Sequence, residues 1–200
     1  MAKLPIILFI FSGLFAQQWE HELTKGGIKV WSRDVEGSYF KEIKAVGWVP
    51  APPTRIFEGL QERKKLLKVM KFMTDSKELG SCGTNCKYVY QAFQKKPIKT
   101  RHVVIKVQWE ESGDDEASKV IKQWWTKAKN KKPEGNGVEM HAAHGSWHLK
   151  ASAGGTKTKV TTISYVDPGH VTPFAYFVNQ GGNEIAWDFL DNLRKLAPKW

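Results

Sequence analysis

The end of the chain constrains the fold more strongly than any other segment. A strand is predicted over residues 158–166, followed by the turn-forming Asp167-Pro168-Gly169 and by a helix that begins at Thr172-Pro173. Thr172 suits the helix N-cap and Pro173 the first turn. Every step along one stripe of this helix is three or four residues, as a buried helical face demands. The stripe consists of Phe174, Val178, Gly181, Ile185, Phe189, Leu193 and Leu196.

Aromatic-rich strands precede this helix and give it a surface on which to pack. We therefore predict an α+β fold in which a curved antiparallel sheet is wrapped around one long C-terminal helix. A sheet curved in this way can leave a cavity beneath the helix. The length of 200 residues suits one domain that buries a core and still encloses a pocket.

The first 16 residues have the pattern of a secretory signal peptide. Lys3 supplies a basic start, residues 4–11 form an apolar run, and Ala16 offers a small residue for cleavage. The run is too short to span a bilayer comfortably, although an uncleaved anchor stays open as an alternative. We expect residues 17–200 to be the folded domain, exported to the periplasm or secreted, and monomeric.

The chain is strongly basic, with a formal net charge of +11. Only Lys3 among the charged residues lies in the signal segment, so the folded domain carries +10. Such a charge favours encounters with nucleic acid, anionic lipid or acidic proteins without choosing among them. Export argues against nucleic acid. The alternative is that the lysines only solvate the surface.

Cys82 and Cys86 are the only two cysteines, and the turn-forming Gly83-Thr84-Asn85 separates them. Because an exported chain meets oxidising conditions, we favour a disulfide that closes a hairpin. A metal pair or two free thiols are the alternatives.

Hydrophobic periodicity predicts most of the remaining elements. Further strands are predicted over residues 28–33, 39–48, 72–79, 87–93 and 138–151, and one helix over residues 54–69. The clearest two-residue period places Arg101, Val103, Ile105, Val107 and Trp109 on one strand face. Arg101 therefore points with the apolar set, either as a rim residue or as a charge inside a pocket.

Residues 116–129 are predicted to form a short helix with an apolar face of Val120, Ile121, Trp124 and Trp125. Lysines flank the two tryptophans. Such a helix would either dock onto the domain or lie on an anionic membrane surface.

In the last hairpin, Trp147, Leu149 and Ala151 share the face that we expect to be concave. His144 and His148 fall on one strand face and His141 on the other, so no metal site is expected. The chain also lacks a glycine-rich phosphate loop, a nucleophile elbow and a paired-carboxylate signature.

Short motifs spread along the chain resemble those of START (StAR-related lipid transfer) domains in order and spacing. The resemblance covers the chain from about Trp19 to Ala197. The motifs are Gly26-Gly27-Ile28-Lys29-Val30-Trp31-Ser32-Arg33, Pro97 with Arg101-His102, Gly145-Ser146-Trp147, Lys157-Thr158-Lys159-Val160, and Asp167-Pro168-Gly169 with Pro173 and Asn179.

The resemblance implies a helix-grip fold that holds a lipid or another hydrophobic molecule in an internal cavity, without cofactor or metal, and with transient membrane contact. It favours a pocket role for Arg101, while His102 replaces the family's usual acidic neighbour. Gln91 occupies the position of an acidic cavity partner, and it could hydrogen-bond a ligand hydroxyl or Arg101 directly but could not form an ion pair with Arg101. The expected ligand-binding residues are Arg101, Gln91, Val103, Ile105, Val107, Trp147, Leu149, Phe174, Phe177 and Val178.

Two other functions stay open at this point. Helix-grip folds also include cyclases and hydrolases, for which Tyr88, Tyr90, His144 and His148 would be the candidate acid-base groups. A surface-associating module that uses Trp124 and Trp125 is the other alternative.

Overall fold

The computed structural model describes residues 18–96, 98–169 and 175–200, without the side chains of residues 175–178 and 180. Ten strands and three α-helices lie in these ranges. The strands are β1 (Glu20–Lys25), β2 (Ile28–Arg33), β3 (Glu42–Val49), β4 (Met73–Gly83), β5 (Cys86–Phe93), β6 (Arg101–Ser112), β7 (Val120–Lys127), β8 (Val138–Glu139), β9 (Ala142–Ser152) and β10 (Lys157–Asp167). The helices are α1 (Pro53–Gln61), α2 (Arg63–Val69) and α3 (Ala175–Leu196), and a 3-10 turn (Ala197–Lys199) follows α3.

The strands form one sheet in the order β1-β2-β3-β10-β9-β7-β6-β5-β4, with β8 beside β6. The neighbours in this order pair antiparallel, and only β8 pairs parallel among the described strands. α3 packs across β2 and β3. The predicted α+β helix-grip architecture is confirmed.

The second half of α3 is fixed to the sheet and to α2 by packing and by polar contacts. Phe189, Leu190 and Leu193 are buried in the main core. Trp187 Nε1 donates to the carbonyl of Lys25 at 3.1 Å, and Asn192 Nδ2 donates to that of Val69 at 3.1 Å. The predicted apolar stripe thus covers the sheet, while its first members, Phe174 and Val178, and the predicted helix start at Thr172-Pro173 lie outside the described residues and side chains.

The prediction of a single helix over residues 54–69 is wrong in one respect, because this segment forms two helices, α1 and α2. Glu62 has an extended backbone (φ −81°, ψ 117°) and separates α1 from α2. Ile56, Leu60 and Leu66 are all buried, so both helices keep the predicted apolar face against the core.

The helix predicted over residues 116–129 is also wrong, because this segment contains strand β7. β7 pairs with β6 on one side and with β9 on the other, so both neighbours satisfy its backbone groups. Adjacent residues of a strand point to opposite faces. Trp125 therefore faces the inside of the sheet, whereas Trp124 lies on the outside and is 36% exposed. The two tryptophans do not form a common surface.

Residues 128–140 run alongside β6 at its beginning, and Gly137 lies against the ring of His102 on the outer side of the sheet. Ala128 N–H donates to the carbonyl of Val104 at 2.8 Å, and Met140 N–H donates to that of His102 at 3.0 Å. His102 and Val104 are consequently buried although they alternate with the inward residues of β6. The strand predicted over residues 138–151 is therefore interrupted, since β8 joins β6 and β9 joins β10.

Cys82 and Cys86 form a disulfide at the β4–β5 turn, with Cα atoms 5.1 Å apart. Asn85 takes the left-handed conformation in this turn (φ 49°), which asparagine tolerates better than most residues. In the described part of the chain, no helix combines the length and the apolar character needed to cross a membrane.

Candidate functional site

A cavity of about 920 Å³ lies between the concave face of the sheet and α3. This volume is near the upper end of the range of about 300–1,000 Å³ for pockets that enclose one small molecule. Most of the wall is apolar, with inward residues of β5, β6, β7 and β9 opposite residues of α3. The central apolar residues are Val89, Val103, Ile105, Val107, Met140 and Ala143.

Three aromatic side chains form one end of the cavity, which we call the aromatic end: Trp125, Trp147 and Phe189. Trp147 stacks on Phe189 with ring centroids 5.5 Å apart and an interplanar angle of 13°. Trp125 meets Trp147 edge-on at 5.3 Å. Because Phe189 belongs to α3, this contact joins the helix to the sheet at the cavity wall.

The opposite part of the wall, the Arg101 end, contains the guanidinium of Arg101 and the backbone of Lys99 and Gly169. Arg101 is only 8% exposed. Its Nη1 donates to the Lys99 carbonyl at 3.1 Å and its Nη2 to the Gly169 carbonyl at 3.5 Å, while Nε has no partner among the described residues. Burial lowers the pKa of Arg101 below its ordinary value, because desolvation disfavours the charged form. Arg101 is thus a charge inside the pocket.

Neutral polar groups line the wall between these ends. Gln91 of β5 pairs in register with Ser76 of β4, and both line the cavity. Gln123 is 6% exposed and accepts a hydrogen bond from Gln61 Nε2 at 2.8 Å. These groups can donate or accept hydrogen bonds, but none of them carries a charge.

Exposed charged side chains among the lining residues mark where the cavity meets solvent. Lys95, Lys96 and Lys99 belong to the loop between β5 and β6, and Glu184 lies on α3. Lys95 Nζ is 5.0 Å from the ring centroid of Phe72. We call this loop, residues 94–100, the mouth loop.

Solved structures with the same architecture cover most of the chain. A STAR-related lipid transfer protein from Xanthomonas axonopodis is 24% identical and superposes with a TM-score of 0.77, over 90% of this chain and 98% of that one. Human StAR-related lipid transfer protein 5 is 16% identical with a TM-score of 0.76, over 90% and 86% of the two chains. The chain has the START fold.

The solved structure of an enzyme is also similar in fold, at a lower score. The Zhui aromatase/cyclase from Streptomyces is 13% identical, with a TM-score of 0.53 over 79% of this chain and 93% of that one. No protein-family model matches the sequence, and the comparison with curated protein sequences finds no match.

Six of the ten predicted ligand-binding residues line the cavity of this START fold: Arg101, Gln91, Val103, Ile105, Val107 and Trp147. Leu149 does not line it, because it is 1% exposed within the main core, where β9 packs against α1. Phe174 and the side chains of Phe177 and Val178 lie outside the described part of the structure.

Sequence reasoning missed several cavity residues that the START fold brings together. The helix predicted over residues 116–129 gives no indication that Trp125 points inward from strand β7. Ser164 and Thr162 lie on the inward face of β10, where the two-residue alternation could have located them. Met140 comes from an irregular segment that carries no periodic signal.

None of the four candidate acid-base groups lines the cavity. Tyr90 packs against the ring of His102, with centroids 6.0 Å apart, and His144 stacks on Tyr165 at 4.9 Å. His148 has a lowered pKa because of burial and then the charges of Lys122 and other lysines on the outer face. Tyr88 alternates with the inward Val89 and lies on the same outer side. The described residues include no group of three or more side chains that could hold a metal ion.

Proposed function

We propose that this protein binds a lipid or another hydrophobic small molecule in the cavity, without chemical turnover. The observation that carries the proposal is the volume of about 920 Å³ behind largely apolar walls. Protein interiors are close-packed and rarely contain voids larger than a water molecule. A space of this size therefore favours an occupant, and apolar walls favour an apolar one at about 25 cal/mol per Å² of buried surface.

Native mass spectrometry of the protein purified from its own membranes tests this proposal. We expect a stoichiometric hydrophobic compound, which denaturation releases for identification. Ser164→Trp should fill the cavity and abolish co-purification, because Ser164 lines the wall on β10. Ser146→Trp is the matched control, since Ser146 lies beside Trp124 on the outer face of the sheet. An empty protein that also binds nothing from a lipid panel contradicts the proposal.

We further propose that the protein exchanges its ligand with membranes through the mouth loop. Lys95, Lys96 and Lys99 of that loop are exposed, and lysines near an anionic surface each contribute about 1 kcal/mol of attraction. The ligand would then pass between the loop and α3. This arrangement supports carriage between membranes.

A vesicle assay tests the proposed route. Replacing Lys95, Lys96 and Lys99 together by Gln should slow transfer from vesicles that contain anionic lipid and leave transfer from neutral vesicles unchanged. The control replaces Lys122, Lys150 and Lys159 on the outer face, which removes the same charge. Equal slowing by both triple variants would show that net charge, not the mouth loop, governs the contact.

Export to the periplasm or the outside of the cell is our proposal for localisation. The pattern of residues 1–16 and the disulfide between Cys82 and Cys86 support it, because disulfides persist in oxidising compartments. Fractionation of cells that express the full chain, with N-terminal sequencing of the product, tests export and cleavage together. Protein that stays in the cytoplasm with both thiols reduced contradicts it.

A further inference from the structure

The charge of Arg101 has no counter-ion in this chain. The described residues include all 20 Asp and Glu residues, because the masked positions contain none. Among these carboxylates and the chain terminus, none forms a salt bridge with Arg101 within 4.0 Å. Arg33 shows the contrast, because its Nη2 lies 2.5 Å from the buried carboxylate of Glu42.

The free hydrogen-bonding capacity of Arg101 lies along one edge of its guanidinium. Nη1 makes a bond of ordinary length, at 3.1 Å, to the Lys99 carbonyl. The bond from Nη2 is long at 3.5 Å, and Nε is buried without a partner in the part of the chain that the structure describes. Nε and Nη2 form the pair of parallel donors that a carboxylate or phosphate accepts in a bidentate contact.

A buried charge without a partner is costly, and neutral hydrogen-bond acceptors only partly offset that cost. The strand pairing does not supply an anion, because the register partners of Arg101, Phe93 and Val138, are apolar and the diagonal neighbour Gln91 is neutral. A ligand that carries the negative charge would satisfy both the charge and the open donor edge.

The rest of the wall has the same sign of charge. Besides Arg101, seven basic and two acidic side chains line the cavity. One of the two acidic groups, Glu78, already pairs with Lys87 at 3.1 Å. The excess positive charge raises the local concentration of anions at the mouth, and the low-dielectric walls focus its field inward.

We propose that the ligand of this cavity is an anionic amphiphile: an apolar body held by the walls and an acidic head, a carboxylate or a phosphate monoester, bound by Arg101. This inference rests on the proposed function and specifies the class of ligand. The head would accept bonds from Nε and Nη2 of Arg101, and the chain would extend toward the aromatic end.

Three matched probes test the proposal: dodecanoate, dodecyl phosphate and dodecanol, each measured by displacement of a neutral fluorescent hydrophobe. The apolar chain is the same, so differences in Kd report the head. Charge-assisted hydrogen bonds predict that dodecanoate or dodecyl phosphate binds about ten- to a hundredfold more tightly than dodecanol. The anion that binds more tightly identifies the head.

Arg101→Gln should bring the Kd values of both anions to within about twofold of the Kd of dodecanol for the same variant, because it removes the charge but not the apolar wall. Lys159→Gln is the control that removes one positive charge from the outer face of the sheet, away from the cavity, and it should keep the preference. Should Arg101→Gln fail to fold, Arg101→Lys keeps the charge but removes the pair of parallel donors, and it should weaken the preference for the anions.

Equal affinities for dodecanol and both anions would overturn the inference while leaving the proposed function intact. A preference that persists in Arg101→Gln would also overturn it, since the lysines of the mouth would then be its source. Failure of all three probes and of a lipid panel would instead contradict the proposed function itself.

Discussion

The aromatic end and the Arg101 end of the cavity lie on the same sheet but are built in opposite ways. Trp147 and Phe189 stack closely at one end. At the other, Arg101 is just as buried, yet it keeps an unpaired Nε and has no carboxylate nearby. Along β6, Arg101 and Trp109 are eight residues apart, or about 27 Å in an extended strand, and Trp109 shares a register row with Trp147.

This difference separates two contributions to ligand binding. Apolar contacts at the aromatic end are non-directional and contribute affinity for any hydrophobic body. An unsatisfied charge discriminates between ligands, because only a complementary head relieves its desolvation. We therefore expect changes at the aromatic end to alter stability strongly and selectivity little, and changes at the Arg101 end to do the reverse.

The largest effect should come from Trp147→Ala. The substitution removes a ring that is stacked on α3 and buried to 8% exposure, so the free energy of unfolding should fall by about 3–5 kcal/mol. Urea denaturation measures this loss. Trp124→Ala is the matched control on the outer face and should cost well under 1 kcal/mol. Equal losses in the two variants would mean that the aromatic end does not hold helix and sheet together.

How far the sequence predicts each end depends on the local pattern. β6 and α3 each place their apolar residues on one face at a regular period, so the sheet, the long helix and the inward position of Arg101 are predictable. Strand β7 is not predictable in this way, because the polar Gln123 points inward and the apolar Trp124 points outward. This arrangement obscures the alternation of apolar and polar residues that marks a strand. Val120, Ile121, Trp124 and Trp125 then fit a helical period equally well.

The volume of the cavity is harder to predict than its wall. Trp147 and Leu149 share a strand face, yet Trp147 lines the cavity and Leu149 lies under α1. Their difference depends on where the helices cross the sheet, and periodicity carries no information on that. Because residue 91 is a neutral Gln, the sequence does predict that Arg101 has no ion-pair partner at this position. Only the structure shows that Arg101 is buried, and burial is what makes the missing partner costly.

Gly145→Ala tests how tightly the wall near the aromatic end is packed. A Cβ at this position would lie 2.5 Å from Trp125 Cζ2 and would also contact the backbone carbonyl of Ile163. The carbonyl belongs to a central strand and cannot move aside, so we expect a loss of about 1–3 kcal/mol in unfolding free energy. Thermal unfolding measures it, with Ser146→Ala as the neighbouring control on the outer face. A neutral result would show that this wall can relax.

Gln91→Glu should change the selectivity of the Arg101 end by about tenfold. Gln91 and Arg101 are diagonal neighbours on one face, since Gln91 pairs with Val103 and Arg101 with Phe93. A carboxylate here would give Arg101 an internal partner and compete with an anionic ligand head. The ratio of Kd values for dodecanoate and dodecanol measures this. Gln108→Glu makes the same chemical change on the outer face of β6, away from the cavity, and should leave the ratio nearly unaltered.

Arg101→Met should have the smallest effect on stability and the opposite sign to that of Trp147→Ala. Replacing an unpaired buried charge by an apolar side chain of similar length removes its desolvation cost, so unfolding free energy should stay unchanged or rise by about 1 kcal/mol. Arg33→Met is the control, because it leaves the buried Glu42 without its arginine partner and should lower stability by about 1 kcal/mol. Urea denaturation of the ligand-free protein compares the two variants.

A loss of more than about 2 kcal/mol in Arg101→Met would show that the bonds to the Lys99 and Gly169 carbonyls hold the fold together. Arg101 would then resemble the aromatic end, and the contrast between the two ends would not hold.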